Sequence, residues 1–256
     1  MDGVYVALGS SMAAGPGIRP RAPGSPRRAG RSARNYAHLA ADALGVELAD
    51  VTYSGATTEH ILTASQNGAP PQLTALDRPG VALVTITIGG NDVGYVPLLM
   101  AAALPRVVRR IPAVRALLDP DAREQALAGV GAKLRAVGQA VRAQAPQAQV
   151  CFVDYLTLLP PAGAPAGPLS PADADLGRHV AARLAAETAE AAAATGCTLV
   201  SAAAASVGHH AWSAEPWTVG AQLRDLIPRP GAPAPLHPNA AGMRAVAGLV
   251  VAAVTA

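Results

Sequence analysis

Four short stretches of the chain hold residue types suited to acyl-transfer chemistry, although they lie far apart in sequence. They are Gly9-Ser10-Ser11-Met12-Ala13-Ala14-Gly15, Ser54-Gly55-Ala56-Thr57-Thr58, Gly89-Gly90-Asn91-Asp92 and Leu236-His237-Pro238-Asn239. A serine on a tight turn can present its hydroxyl to a carbonyl carbon, but at its ordinary pKa it needs a base to attack. His237 is the residue type that supplies one, and Pro238 fixes the chain direction beside it. A glycine N–H and an asparagine side-chain amide are donors for the oxyanion formed on attack, each worth about 3 kcal/mol in the transition state. Gly55 and Asn91 offer those two donors.

The hydropathy pattern says what would carry these turns. Val4–Leu8 and Val81–Ile88 are continuous apolar runs closed by glycine, as expected of strands buried on both faces. Val46–Tyr53, Gln149–Tyr155 and Cys197–Ala202 read as three further strands. Helices are expected over Tyr36–Leu44, Asp121–Ala145 and Pro171–Thr195, with a last one opened by Pro238 at its first turn. Leu127, Val130, Leu134, Val137 and Val141 form one apolar stripe on the second of these. Strands separated by helices imply right-handed βαβ units, hence an α/β fold with a parallel sheet between two helical layers. In such a fold the ligand crevice lies beyond the carboxyl ends of the strands. The first three stretches sit at such ends, and they would converge on one rim.

With these blocks in this order and in these strand contexts, the sequence resembles the SGNH (GDSL-type) serine hydrolases, especially their actinobacterial lipase-like branch. The resemblance spans nearly the whole chain. It implies a three-layer α/β/α sandwich with a central, mostly five-stranded parallel sheet of flavodoxin-like form. It marks Ser11 as nucleophile and His237 as base, with the Ser11 N–H, the Gly55 N–H and the Asn91 side chain as oxyanion hole. The implied activity is hydrolysis of carboxylic esters by a Ser-His dyad without cofactor. The alternatives are acyl transfer to another alcohol at the same site, or an acyl-binding pseudoenzyme without turnover.

Two positions depart from the family pattern. Ser10 stands where an aspartate usually precedes the nucleophile, which makes Ser10 a rival nucleophile. Ala234 stands three residues before His237, where many members carry the aspartate that orients the ring. Some members of the branch use a backbone carbonyl instead. The Ala234 carbonyl is therefore the expected partner, with Asp225 as second choice. A carbonyl fixes the tautomer but stabilises an imidazolium less than a carboxylate does.

The remaining histidines and the cysteines suggest little chemistry of their own. His38 and His179 fall within predicted helices, and His60 follows the second block without an evident role. The stretch from Ser206 to Trp217 resembles a loop lining the active site in the same branch, with His210 and Trp212 where that branch often carries an aspartate and a cysteine. His209 or His210 is thus a candidate wall residue. No grouping of His, Cys and carboxylates has the spacing of a metal site. Cys151 and Cys197 stand near the starts of two strands expected to be neighbours, so a disulfide is conceivable, but free buried thiols are the expectation.

Composition sets the outer bounds. With 256 residues the chain suits one domain, and the absence of a composition break supports a single domain over 1–256. A 51% hydrophobic content and two cysteines exclude wholesale disorder and a disulfide scaffold. The net charge of +3 is mild, so nucleic acid is not expected as a partner. The expected partner is a small-molecule or lipid ester, the expected state a monomer. With no secretory leader and no spanning segment in view, the cytoplasm is the expected compartment, or the cell exterior if a leader has been removed. Positive charge concentrates at Arg19, Arg21, Arg27, Arg28, Arg31 and Arg34, directly after the Ser11 turn, where it could favour anionic substrates. Leu98–Leu118, interrupted by Pro105 and Pro112, is a candidate lid or acyl groove.

Overall fold

The computed structural model describes residues 3–221 and 232–256. In chain order the elements are β1 (Val4–Gly9), α1 (Ser11–Ala14), α2 (Tyr36–Leu44), β2 (Glu47–Asp50), α3 (Thr58–Leu62), β3 (Val81–Thr87), α4 (Tyr95–Ala103) and α5 (Pro112–Leu117). They continue with α6 (Pro120–Gln144), β4 (Gln149–Val153), α7 (Pro171–Ala194), β5 (Thr198–Val200), α8 (Ala202–Ala205) and α9 (Ala240–Thr255). The five strands pair in parallel in the order β2-β1-β3-β4-β5. This is the flavodoxin-like order, whose topological switch falls between β1 and β3.

Alternation along each strand divides the interior in two. Val6, Leu8, Val84, Ile86, Val150 and Phe152 face one layer, packed with the α6 stripe and with Val180 and Leu184 of α7. Tyr5, Ala7, Leu83, Cys151, Val153 and Val200 face the other, packed with α2 and with Met243, Val246 and Val250 of α9. Strands covered on both faces must be apolar at consecutive positions, which is why the central runs lack hydrophilic alternation. The second face also holds a buried hydroxyl cluster: Tyr5 and Tyr36 bond to Thr85, and Tyr36 bonds also to Thr87. The two cysteines are free, and they pack on opposite faces of the sheet.

Three sequence expectations need adjustment, and a fourth stretch takes the broken form that its prolines suggest. β2 is shorter than Val46–Tyr53, because the Asp50 carboxylate accepts from both the backbone N–H and the hydroxyl of Thr52 and turns the chain. β5 likewise covers only Thr198–Val200 of the expected Cys197–Ala202. Leu98–Leu118 is no continuous helix: α4 ends before Pro105, a short 3₁₀ turn covers Val108–Arg110, and α5 begins at Pro112. Proline lacks the N–H that would continue a helix, so each proline marks a break. The last helix begins after Pro238, where Asn239 caps it by accepting from the N–H groups of Ala241 and Gly242.

Among the described residues no helix is long and apolar enough to cross a membrane.

Candidate active site

Ser11 opens α1 immediately after β1, and His237 ends the irregular segment before α9. Although 226 positions separate them, Ser11 Oγ lies 2.8 Å from His237 Nε2. The other ring nitrogen, Nδ1, lies 2.7 Å from the Pro235 carbonyl oxygen. A carbonyl can only accept, so Nδ1 carries the ring hydrogen and Nε2 is left to accept the Ser11 hydroxyl proton. Burial lowers the His237 pKa, partly offset by the Pro235 carbonyl, so the ring is held neutral as a base must be. Ser11 itself is 8% exposed.

The carbonyl facing the ring differs from the one expected. Ala234 does not face Nδ1: its carbonyl accepts the backbone N–H of His237 at 3.3 Å. That contact closes a four-residue turn over Ala234-Pro235-Leu236-His237, with Leu236 at φ 57°. Proline at the second position and positive φ at the third are the pattern of a type II turn, which aims the Pro235 carbonyl rather than the Ala234 one. Leucine at positive φ costs on the order of 1 kcal/mol, which burial of its side chain offsets. Asp225, the second candidate, lies outside the described residues.

The two remaining turns are tied to the serine turn by named bonds. Tyr53 donates its N–H to the Gly9 carbonyl at 2.9 Å, which carries Ser54-Gly55 to the rim beside Ser11. Gly55 has φ 81°, a left-handed backbone that glycine adopts without penalty. Asn91 donates one side-chain N–H to the Ala56 carbonyl at 2.8 Å, leaving the amide its second hydrogen. Asp92 accepts from the N–H and hydroxyl of Thr58, at 3.0 and 2.6 Å, and pins the start of α3 to the β3 turn. The backbone N–H groups of Ser11 and Gly55 have no acceptor among the described residues, so both are open to a ligand oxygen.

Two residues overlooked in the sequence complete this scaffold. The Gln72 amide closes a two-bond clasp on Gly9, accepting its N–H at 2.7 Å and donating to its carbonyl at 3.0 Å. The Tyr155 hydroxyl lies 3.1 Å from Ser10 Oγ and accepts the Gly90 N–H at 3.0 Å. One oxygen thus joins the residue before Ser11 to the residue before Asn91. Burial pushes this hydroxyl up to about 12, so it stays protonated. Ser10 is spent on this contact, whereas His237 is bonded to Ser11. Gly90 is glycine for steric reasons: a Cβ there would come within 2.3 Å of the Tyr155 ring.

The other histidines take structural positions. His60 caps α3 with Thr57, and His38 contacts Asn35 at the start of α2. His179 pairs with Glu124 across α6 and α7. His209 stacks flat on Trp217 at 4.1 Å, and His210 accepts the Trp212 N–H. That stretch braces the histidine segment, since Trp217 accepts the Asn239 N–H and Val219 donates to the His237 carbonyl. No cluster of three or more potential metal ligands occurs among the described residues.

Comparison with known proteins gives the arrangement its context. Residues 7–245 match the GDSL-like lipase/acylhydrolase family. "Lipase 2" of Streptomyces coelicolor is 33% identical, the match covering 95% of this chain and 83% of that protein. Two crystal structures are similar along the full length. The extracellular lipase of Streptomyces rimosus has a TM-score of 0.80 at 26% identity, covering 98% of this chain and 99% of that one. Phospholipase A1 of Streptomyces albidoflavus NA297 has a TM-score of 0.78 at 26% identity, covering 99% of both chains. The chain therefore belongs to the GDSL-like lipase/acylhydrolase family, an SGNH-type ester hydrolase by sequence and by fold.

Proposed function

We propose that the protein, acting as a single domain, hydrolyses carboxylic esters through a Ser11–His237 dyad. Ser11 Oγ attacks the acyl carbon while His237 Nε2 takes its proton, and the alcohol leaves with that proton. Water then attacks the acyl-serine with His237 again as base, and the acid departs. The oxyanion is held by the Ser11 N–H, the Gly55 N–H and the free hydrogen of the Asn91 amide. The Pro235 carbonyl holds the ring in the tautomer this cycle needs. The observation that carries this reading is the 2.8 Å contact of Ser11 Oγ with a nitrogen whose ring partner already faces a carbonyl.

The test is turnover of a short-chain chromogenic ester, combined with labelling by a fluorophosphonate. Wild type should hydrolyse the ester and take the label on Ser11, and Ser11→Ala should do neither. No turnover over a panel of acyl lengths, together with no labelling, sinks the hydrolase reading. Activity that survives Ser11→Ala and disappears in Ser10→Ala moves the nucleophile by one residue.

A further inference from the structure

The arginine-rich segment after α1 is a built loop. Ala22 donates its N–H to the Arg31 carbonyl, Ala33 donates to the Pro20 carbonyl, and Arg21 and Ser32 form an antiparallel bridge. Ala22, Ser25, Ala29 and Ser32 are buried beneath it. A cavity of about 430 Å³ opens in this loop, lined among the described residues by Gly17, Ile18, Arg19, Arg21, Arg27, Gly30 and Arg31. Four of those seven residues carry a guanidinium, and none carries a carboxylate.

Among the described residues, none of these four arginines forms a salt bridge. Two are anchored by backbone carbonyls alone. Arg31 donates to the Thr52 and Asp50 carbonyls at 2.6 and 2.7 Å, and Arg21 donates to the Ser25 carbonyl at 2.5 Å. Each guanidinium has five N–H donors, so both keep hydrogens to offer elsewhere. Burial works against the Arg31 charge, with Asp50 offsetting only part of that cost. Four like charges held around one cavity repel each other, and an anion that enters it removes the repulsion. A planar guanidinium fork matches two oxygens of a phosphate at once, so the donor set favours that group.

The loop is fastened to both sides of the candidate active site. Ala29 accepts from the Ser54 N–H and hydroxyl at 3.0 and 2.8 Å, one residue before Gly55. Pro16 accepts the Ala234 N–H at 2.9 Å, at the turn that aims His237. The loop that carries the cavity is therefore tied to the turns on both sides of the candidate site. Resting on the hydrolase reading, we propose that the arginine-lined cavity binds a phosphate group carried by the alcohol part of the ester substrate.

A matched pair of soluble esters tests this: 1-hexanoyl-glycerol 3-phosphate against 1-hexanoyl-glycerol, compared by kcat/KM. Wild type should prefer the phosphorylated ester by about tenfold at low salt, and the preference should shrink as ionic strength screens the arginines. Arg19→Gln and Arg27→Gln, at exposed positions, should each bring the ratio of the two kcat/KM values towards one. Equal use of both esters by wild type, or a ratio unmoved in both variants, overturns the proposal. Inorganic phosphate should compete with the phosphorylated ester. If it instead stimulates turnover of the neutral ester in wild type but not in Arg27→Gln, the ligand is free phosphate and the substrate assignment falls. Failure of the hydrolase reading is distinguishable, because wild type would then turn over neither ester and Ser11 would take no fluorophosphonate label.

Discussion

On the serine side of the site, side chains from distant segments reach in to hold each turn. Gln72 clasps Gly9, Tyr155 joins Ser10 to Gly90, Asn91 bonds to Ala56, and Asp92 fixes Thr58. On the histidine side the bonds are almost all backbone. Pro235 faces the ring, Ala234 closes the turn, and His237 and Leu236 exchange bonds with Val219. The contrast matches what each side has to do in the proposed reaction. The oxyanion hole must place several donors around one developing charge, and side chains fixed at two ends hold donors rigidly. The base needs its tautomer set and its ring aimed, which one carbonyl achieves, although that carbonyl gives the imidazolium no full countercharge.

The largest expected effect breaks the pair itself. His237→Ala should lower kcat/KM on a chromogenic ester by about 10³-fold or more, and adding Ser11→Ala should cost little further, since the two act as one unit. A loss below about tenfold would mean that another group serves as base.

The next effect separates the two sides. Tyr155→Phe keeps the ring against Gly90 and removes only the oxygen between the two turns. We expect kcat to fall about fivefold with KM unchanged, in line with one hydrogen bond of about 1 kcal/mol felt at the reacting centre. In an Asn91→Ala background the same change should have almost no effect, because the donor it positions is gone. An equal loss in both backgrounds would show that Tyr155 acts through something other than Asn91.

How far the sequence foretold each side follows the same division. The four blocks and the strands under β1 and β3 were readable because buried parallel strands are apolar throughout and end at glycine. The residues that hold the blocks were not. Gln72 lies 63 positions from Gly9 and Tyr155 lies 145 from Ser10, distances over which no periodicity reports. Tyr155 left one usable trace: it stands at the carboxyl end of β4, where the rule that found the first three blocks applies equally. The Pro235 carbonyl left less, since every residue has a carbonyl and residue type does not mark which one is aimed. The clue there was geometric, a proline placed to start a turn whose next residue, Leu236, had to adopt positive φ.

A smaller effect concerns pH on the histidine side. In the proposed reaction His237 acts in its neutral form, and burial lowers its pKa below the ordinary value of about 6.5. The acid limb of kcat/KM should therefore fall below pH 6.5, with activity retained where an exposed imidazole would already be protonated. The same shift adds stability that is present above about pH 6.5 and lost as pH falls through the lower folded value. An acid limb at or above 6.5 would mean that the ring carries a nearby negative charge, and the contrast with a carboxylate-oriented base would fail.

The last effect falls on stability rather than turnover and concerns the anchor beneath the histidine side. Asp154 directly follows β4, and its carboxylate accepts the Ala203 N–H at 2.8 Å, holding the start of α8 and the loop that leads to Trp217 and Asn239. Burial raises its pKa to about 6, outweighing the backbone bonds that oppose the shift. A carboxyl with a raised folded pKa favours folding below its unfolded value, near 4, and that benefit is lost as pH rises through about 6. Asp154→Asn keeps an oxygen for the Ala203 N–H and removes the charge. Its melting temperature should match wild type near pH 4 and exceed it at pH 8, by up to about 2–3 kcal/mol or several degrees. A variant that is less stable at pH 8 would show that the charge is needed there. The histidine side would then rest on an ionised group, in contrast to the backbone bonds that aim His237.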